Sequence, residues 1–340
     1  MPGTLIQRLL PVLQLTRIAL VFTAISNSVC AMLLLAKWSP AGRGVTPWDV
    51  LTPWNLAAVV MMSIGMYGFG MSLNDIIDRR RDSRIAPGRP LPSGRIAVRT
   101  AHLICAVMAM LALLGAAGYA WGTRMWPASL AVAGLTLILI AFYDFAGKYL
   151  VAAGLLSLGL IRFFHAVIAA PQVPLLWHPL LLLNHVVLLS TWCYGLEDKR
   201  PKLSRAHWAA VVGGLLLIDV LSVGAVWWRR HERAGGDVSE ALWIEPGLWL
   251  VAAAVVGFVA AAAVVRRASP DTRSAGQTLM LLGLLWLIVY DAAIVAGYVD
   301  GRAALLQLAL LPVAYFSVQL MRWASRLIAL SQPVEYQRAR

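Results

Sequence analysis

Charged side chains are scarce in this 340-residue chain, and their scarcity limits the kind of fold it can form. Asp, Glu, Lys and Arg make up 13% of the residues, whereas hydrophobic types make up 60%. The mean hydropathy is +0.73. Because soluble domains devote about 25% of their residues to charges, this composition argues against a soluble fold and predicts a polytopic membrane protein.

Cysteine is also rare, with three residues in the whole chain. Cys30, Cys105 and Cys193 lie in separate apolar segments, without a close pair and without the spacing of a metal site. The sequence therefore predicts buried packing thiols and no disulfide framework.

Acidic residues are outnumbered, with 16 Asp and Glu against 29 Lys and Arg and a formal net charge of +13. In a soluble protein such a charge would suggest nucleic-acid binding. Here most basic residues fall on one side of the predicted spans, as the positive-inside rule expects. We therefore expect no nucleic-acid partner, cytoplasmic termini, and a multi-pass protein of the cytoplasmic (inner) membrane whose polar motifs face the cytoplasm.

Ten apolar stretches approach the length of about 20 residues that a membrane-spanning helix needs. They cover residues 10–36, 54–73, 98–121, 126–145, 149–170, 178–196, 207–228, 246–265, 277–298 and 303–321. The pattern predicts an all-α transmembrane helix bundle of about nine to ten spans. The loop at 229–245 mixes charge signs, and we expect a solvated connector there rather than a site.

The most informative polar segment is residues 74–82, which reads Asn-Asp-Ile-Ile-Asp-Arg-Arg-Arg-Asp. On a helix, Asp75, Asp78 and Asp82 fall within roughly 60° of one another, so their oxygens converge on one pocket. Clustered carboxylates, with Asn74 as a neighbouring oxygen donor, suit Mg²⁺, whose remaining ligands are often substrate phosphates. The segment therefore predicts a site for a metal and a diphosphate.

Arginines interleave with these carboxylates, and guanidinium groups recognise phosphate oxygens in pairs. They are Arg79, Arg80, Arg81 and Arg84. Residues 89–95 follow, with two prolines and a glycine that stop the helix and stiffen the loop. The alternative interpretation of the arginines is an ordinary positive-inside loop.

A second polar turn, at the junction of the fourth and fifth predicted spans, carries Tyr143 and Lys148. A phenol and an ammonium at the depth of the first motif suit the binding of a leaving diphosphate. Alternatively, Lys148 is a snorkelling anchor.

Ionisable residues also occur inside spans, where they are costly and usually face an interior cavity. Arg162 and His165 are three residues apart and hence on one helix face. We expect a phosphate or carboxylate partner for Arg162, whereas His165 could equally be a neutral core residue. Asp219 and Asp291, in later spans, are candidates for internal pairing.

Taken together, these residues resemble the UbiA-type intramembrane prenyltransferase superfamily over roughly residues 15–205. Its signature Asn-Asp-x-x-Asp-x-x-x-Asp is matched by Asn74, Asp75, Asp78 and Asp82. Its Arg-Pro-x-Pro-Ser-Gly continuation is matched by residues 89–94, and its Tyr and Lys turn by Tyr143 and Lys148. Arg17 in the first span also falls where members often have an arginine.

The resemblance implies an all-α bundle, usually of nine spans, around a central cavity with a lateral opening to lipid, so a tenth span would be an addition. Residues 1–340 would form a single integral-membrane domain. The implied activity is Mg²⁺-dependent transfer of an isoprenyl group from a prenyl diphosphate to a hydrophobic acceptor in the membrane lipid, either an aromatic quinone precursor or a lipid alcohol.

The resemblance also implies roles for individual residues. Catalysis would fall to Asp75, Asp78, Tyr143 and Lys148. Substrate would be bound by Asn74, Arg17, Arg84, Arg89, Arg162, Lys199 and Lys202. Metal would be held by Asn74, Asp75, Asp78, Asp82, Glu197 and Asp198.

The family's second aspartate-rich loop should fall near residues 194–202, and it matches poorly. Glu197 and Asp198 keep the acidity, but Tyr194 and Lys202 stand where aspartates are expected. Either the two acids bind a second Mg²⁺, or the loop's basic residues replace part of that metal's charge, or this is an ordinary positive-inside loop. We expect at least one acid, Asp198 in particular, to face the first motif.

Two other functions compete with the prenyltransferase hypothesis. A transporter would use the intramembrane charges Arg162, Asp219 and Asp291, and it should show inverted repeats, of which we find no convincing example. A UbiA-like protein that binds a prenyl lipid or quinone without turnover is favoured by the poor second motif.

Overall fold

The structure, a computed structural model, describes the backbone of residues 5–37, 45–124, 127–173 and 175–331, and within these ranges the side chains of 9–325. Every regular element in this part of the chain is helical. The helices are α1 (Leu5–Leu15), α2 (Val21–Lys37), α3 (Pro47–Val50), α4 (Pro53–Ile85), α5 (Val98–Thr123), α6 (Ala128–Phe145), α7 (Val151–Ile168), α8 (Trp177–Leu196), α9 (Arg205–Arg230), α10 (Val238–Ala241), α11 (Leu248–Ala268), α12 (Thr272–Tyr298), α13 (Gly301–Leu308) and α14 (Leu310–Ser331).

Ten helical segments among the described residues are long and apolar enough to cross a membrane. They match the ten apolar stretches predicted from the sequence, so the prediction of an all-α, multi-pass membrane protein is confirmed. Cys30, Cys105 and Cys193 are free and buried, as expected.

The first apolar stretch, residues 10–36, does not form one continuous helix, because it is divided between α1 and α2. The backbone of Arg17 is left-handed, with φ 45°, and a 3₁₀ turn at Ile18–Leu20 follows before α2 begins. A left-handed residue cannot continue an α-helix, so α1 and the first span are separate elements joined at Arg17.

The aspartate-rich motif lies on a helix, as the spacing of its carboxylates predicts. Helix α4 has 33 residues, which corresponds to a length of about 50 Å. A bilayer's hydrocarbon core is about 30 Å thick. The last turns of α4 can therefore carry the motif beyond the apolar part of the span without breaking the helix.

Helices α4 and α5 pack closely because glycines face backbone at two levels. A Cβ on Gly65 would lie 2.3 Å from the backbone nitrogen of Ala112, and one on Gly115 would lie 2.4 Å from that of Met62. Small residues commonly allow such approach between membrane helices. This contact fixes α4, and so the direction in which the motif projects.

The spans differ in how deeply they are buried. In the most apolar window of each span, 67% of residues are buried in the first, 61% in α8 and 56% in α12, against 11% in α9 and 17% in α11. The first span, α8 and α12 are therefore central, whereas α9 and α11 present most of their surface to lipid.

Candidate functional site

The carboxylates of α4 are sheltered and face cations that come from other parts of the chain. Asp75 and Asp82 are 4% and 3% exposed. Arg89 Nη1 lies 2.5 Å from Asp82 Oδ2 and 3.6 Å from Asp75 Oδ1. Arg17 Nη2 lies 3.6 Å from the same Asp75 oxygen. The break at Arg17 and the loop after α4 thus both direct a guanidinium to one carboxylate.

Asp78 meets a different cation, Lys148, on the 3₁₀ turn Gly147–Tyr149 between α6 and α7. The distance from Lys148 Nζ to Asp78 Oδ1 is 2.9 Å. The same ammonium donates to Asn74 Oδ1 at 3.3 Å. The structure therefore brings the Tyr143 and Lys148 turn against the first motif.

A fourth carboxylate belongs to this group, and the sequence reasoning assigned it no role. Asp144, at the end of α6, is 1% exposed. Its Oδ1 lies 3.7 Å from Lys148 Nζ, with a spacing of four residues. That spacing, with an aspartate at the end of an apolar span, is the signal that could have identified it.

Two of these carboxylate oxygens are buried without a hydrogen-bond donor among the described residues. They are Asp75 Oδ1 and Asp144 Oδ1. A buried polar atom without a partner needs an explanation, and carboxylate oxygens are the ligands that Mg²⁺ prefers. Oxygen donors of this kind suit a magnesium ion, but the ligand atoms of Asp75, Asp78 and Asp144 do not all lie within 4.8 Å of one another, so the three would have to draw together to share one ion. Asp82 is instead occupied by Arg89.

Tyr143 lies one residue before Asp144, and the charges of Asp144, Asp78 and Arg17 act on its phenol. Tyr143 therefore lies close to the carboxylates of the first motif. Arg84, by contrast, is exposed and forms none of the ion pairs found in the described part of the chain. Nine residues from Asp75 amount to about 900° of helix rotation, so Arg84 points to the opposite side. The structure does not bring this predicted substrate contact to the carboxylates.

The second acidic loop has different surroundings. Helix α8 ends at Leu196, before both acids, and Asp198 has a left-handed φ of 48°. Glu197 Oε2 lies 3.2 Å from Lys199 Nζ, and Asp198 Oδ1 lies 3.6 Å from Lys202 Nζ. The predicted substrate-binding lysines are therefore paired within their own loop.

The exposure of the two acids reverses our expectation. The side chain of Asp198 is 66% exposed, whereas that of Glu197 is 17% exposed. Asp198, which we expected to face the first motif, projects to solvent because its left-handed backbone turns it away from the end of α8. Across the described ranges, no ion pair joins this loop to residues 74–89, although the charge of Arg81 reaches Tyr194.

Arg162 belongs to another group of polar residues, inside the bundle. Its guanidinium donates to Asn27 Oδ1 and Thr23 Oγ1, each at 3.1 Å. Asn27 Nδ2 in turn donates to Asp291 Oδ2 at 2.8 Å. The expected direct partner, a carboxylate or phosphate, is therefore replaced by an amide that links Arg162 to Asp291.

Asp291 is completely buried and well paired. Ser26 Oγ donates to its Oδ2 at 2.6 Å, and His178 Nε2 lies 2.7 Å from its Oδ1. Cys30, His178 and Asp291 place possible metal-ligand atoms within 4.8 Å of one another. Because protein donors already engage both Asp291 oxygens, these contacts account for the cluster as packing between α2, α8 and α12.

The other intramembrane polar residues are also bonded to protein. Asn184 Nδ2 donates to Asp219 Oδ1 at 2.9 Å. His165 Nε2 lies 3.1 Å from Ser28 Oγ in a buried contact. These contacts favour the interpretation of His165 as a core residue.

Comparisons with known proteins found one curated relative and several solved structures that this chain resembles. No protein-family model matches the sequence. The chain is 34% identical over 163 residues to a 4-hydroxybenzoate octaprenyltransferase of Polaromonas sp., in an alignment that covers 44% of this chain and 50% of that protein. The match thus spans about half the length of this curated relative.

One solved structure shares the fold. A digeranylgeranylglyceryl phosphate synthase superimposes with a TM-score of 0.57 and 17% identity, over 86% of this chain and 99% of its own. A UbiA homologue from Archaeoglobus fulgidus, bound to DMAPP and Mg²⁺, covers 94% of this chain and 99% of its own with 14% identity. Its TM-score of 0.40 is too low to support a structural argument.

The class that the fold and site define is an intramembrane helix bundle with an aspartate-rich site at one end. The chain shares this fold with the digeranylgeranylglyceryl phosphate synthase and is similar over part of its length to the 4-hydroxybenzoate octaprenyltransferase.

Proposed function

We propose that this protein transfers an isoprenyl group from a prenyl diphosphate to a hydrophobic acceptor in the bilayer, with Mg²⁺ as cofactor. One observation carries the proposal: buried carboxylates of α4 and α6 meet cations from three other segments. Asp75, Asp78 and Asp144 supply oxygens for a metal, and Arg17, Arg89 and Lys148 supply donors for phosphate oxygens.

The cations would stabilise the leaving group of the reaction. Breaking the allylic C–O bond leaves negative charge on the diphosphate, and donors already in position stabilise that charge. Lys148 and Arg89 can each turn from a carboxylate to a phosphate oxygen. Bound Mg²⁺ would add positive charge at the same oxygens. Tyr143 would hold the leaving diphosphate from the side of α6.

The isoprenyl chain would lie among the apolar side chains of the bundle. Aromatic rings near the motif, such as Tyr67 and Phe69 on α4, can shield a carbocation and stabilise it through their faces. An electron-rich acceptor carbon or oxygen then forms the new bond, and its proton is released.

The acceptor is proposed only as a class. One relative is named for an aromatic acid and the other for a glyceryl phosphate lipid. We therefore propose an aromatic quinone precursor or a lipid alcohol. The one-sided distribution of basic residues supports a cytoplasmic membrane with the site on the cytoplasmic face, in a single integral-membrane domain.

Purified protein in nanodiscs tests the proposal. With Mg²⁺, geranyl diphosphate and a lipid extract as the source of acceptor, we expect pyrophosphate release together with a new prenylated lipid by mass spectrometry. The double variant Asp75→Asn/Asp78→Asn should release none. Glu232→Gln, an exposed carboxylate at the other end of the bundle, is the matched control and should keep full activity.

Two results would replace the proposal. Saturable binding of geranyl diphosphate without pyrophosphate release would favour the protein that binds without turnover. Flux of a solute across proteoliposomes, again without pyrophosphate release, would favour a transporter.

A further inference from the structure

A cavity lies at the end of the bundle opposite the aspartate-rich motif. Its volume is about 520 Å³, and it is bounded by the end of α7, the start of α8 and the end of α9. Apolar side chains line part of the interior, among them Phe163, Ala166, Val167 and Leu175, together with the polar Gln172 and His178. A cavity of about 300–1,000 Å³ with an apolar interior and a few polar groups is typical of a ligand site.

The rim of this cavity is basic. Arg229, Arg230 and Arg233 line it, with Glu240 as the acidic member. Arg229 and Arg233 are exposed and four residues apart, and neither takes part in an ion pair within the described ranges. The charge of Glu240 acts on Arg230 ahead of that of Arg233. With three arginines against one glutamate, the rim keeps a positive charge that a bound anion would offset.

Other acids of the same loop are already engaged elsewhere. Asp237 accepts hydrogen bonds from the backbone nitrogens of Ser239 and Glu240 and so caps α10. Glu245 Oε2 lies 3.0 Å from Lys37 Nζ. These carboxylates therefore do not neutralise the arginines at the cavity.

The loop at 229–245 is exposed over most of its length, as expected of a connector, and it is also tied to the bundle. Trp177 Nε1 donates to the backbone oxygen of Leu242 at 2.7 Å, and the Tyr298 hydroxyl donates to that of Trp243 at 2.8 Å. The Arg230 guanidinium lies over the Trp243 ring, 5.2 Å from its centroid. The rim is thus held in place above the cavity.

We propose that this cavity binds a single-tailed amphiphile with a phosphate head, at a site separate from the aspartate-rich one. The apolar body would occupy the cavity and the phosphate would lie among the rim arginines. A phosphate carries more charge than a carboxylate and offers three acceptor oxygens, which several guanidinium groups can share. The volume suits one tail. The proposal does not depend on the prenyltransferase activity.

Photolabelling of the full chain in phosphatidylcholine nanodiscs tests it. The probes are hexadecyl phosphate, palmitic acid and hexadecanol, each with a diazirine in the middle of the chain. We expect saturable labelling by the phosphate probe of peptides that contain residues 163–179, and weaker labelling by the acid and the alcohol. In Arg229→Gln/Arg233→Gln, the half-saturating concentration should rise at least about tenfold, the loss expected when charge-assisted contacts are removed.

The control is Arg266→Gln/Arg267→Gln, which removes two exposed arginines at the end of α11 and should leave labelling unchanged. If the rim variant fails to fold, Val226→Trp, which fills part of the cavity without removing charge, should reduce labelling instead. Equal labelling by the acid or by the alcohol would overturn the proposal. So would labelling that is confined to other peptides or that neither variant alters.

Discussion

Two acidic segments of this bundle end on the same face, and their carboxylates are neutralised in different ways. On α4, Asp75 and Asp82 are buried and share Arg89, which lies in the following loop. After α8, Asp198 is exposed and pairs with Lys202, four residues away. The carboxylates of the first segment pair with cations from other parts of the chain, whereas those of the second pair with lysines of their own loop.

This difference separates a site from a charged loop. A buried carboxylate loses its hydration, so it needs a cation close by. When the cations come from distant segments of the chain, they surround a pocket, and they can turn from the carboxylates to a ligand that enters it. Exposed neighbouring pairs contribute little because water and salt screen them. The comparison therefore predicts that substitutions in the first segment have large effects and that those in the second have small ones.

The largest effect is expected from Asp78→Asn. The change removes a carboxylate from the proposed magnesium site and leaves Lys148 without its nearest partner, 2.9 Å away. Pyrophosphate release should fall about 100-fold or more, and added Mg²⁺ should restore it only in part. Circular dichroism should remain unchanged because no core packing is lost. Full activity in this variant would remove Asp78 from the site.

Lys148→Met should have the next largest effect. The ammonium contacts Asp78, Asn74 and Asp144, so its loss removes a donor for the diphosphate. We expect the KM for the prenyl diphosphate to rise about tenfold, with the KM for the acceptor unchanged. Lys199→Met is the matched control from the second loop. An altered acceptor KM alone would assign Lys148 to the other substrate.

Arg89→Gln should act on stability as well as on activity. Without its guanidinium, Asp82 stays buried beside a neutral amide, and Asp75 keeps only Arg17. Because Arg89 is partly exposed, we expect a loss of about 1 kcal/mol, measured as a lower melting temperature in detergent. Arg81→Gln, at an exposed position on α4, should melt like the parent protein. If Arg89→Gln melts at the same temperature as the parent protein, the guanidinium of Arg89 does not stabilise the two buried carboxylates.

Much of this arrangement could be predicted from the sequence because its signals are local. Apolar length predicted the ten spans, and helical spacing predicted that Asp75 and Asp82 lie close enough to share a partner, which is Arg89. The helix break at Arg17 was not predictable, since no glycine or proline marks that residue itself and its left-handed backbone depends on the packing around it. Asp144 went unassigned although its ion-pair partner Lys148 lies only four residues away, because Lys148 was interpreted as a contact of the diphosphate.

The sequence also did not predict the direction in which a side chain points at the end of a helix. Pro201 restricts the backbone of Arg200, whereas α8 already ends at Leu196. The local sequence does not indicate the left-handed φ at Asp198, the more exposed of the two acids. In the same way, the loop at 229–245 has the composition of a connector, and only its contacts with Trp177 and Tyr298 reveal a rim above a cavity.

The second acidic loop provides the smallest expected effect. Asp198→Asn removes an exposed carboxylate whose partners, Lys202 and Arg200, lie in the same loop, so turnover should change by about twofold or less. Glu197→Gln should cost more, because Glu197 is sheltered and packs against Gly276, where an added Cβ would lie 3.0 Å from its Cγ. Turnover and Mg²⁺ dependence of the two variants, measured side by side, test this order. A loss at Asp198 as large as that at Asp78 would mean that both acidic segments serve one metal site when substrate is bound.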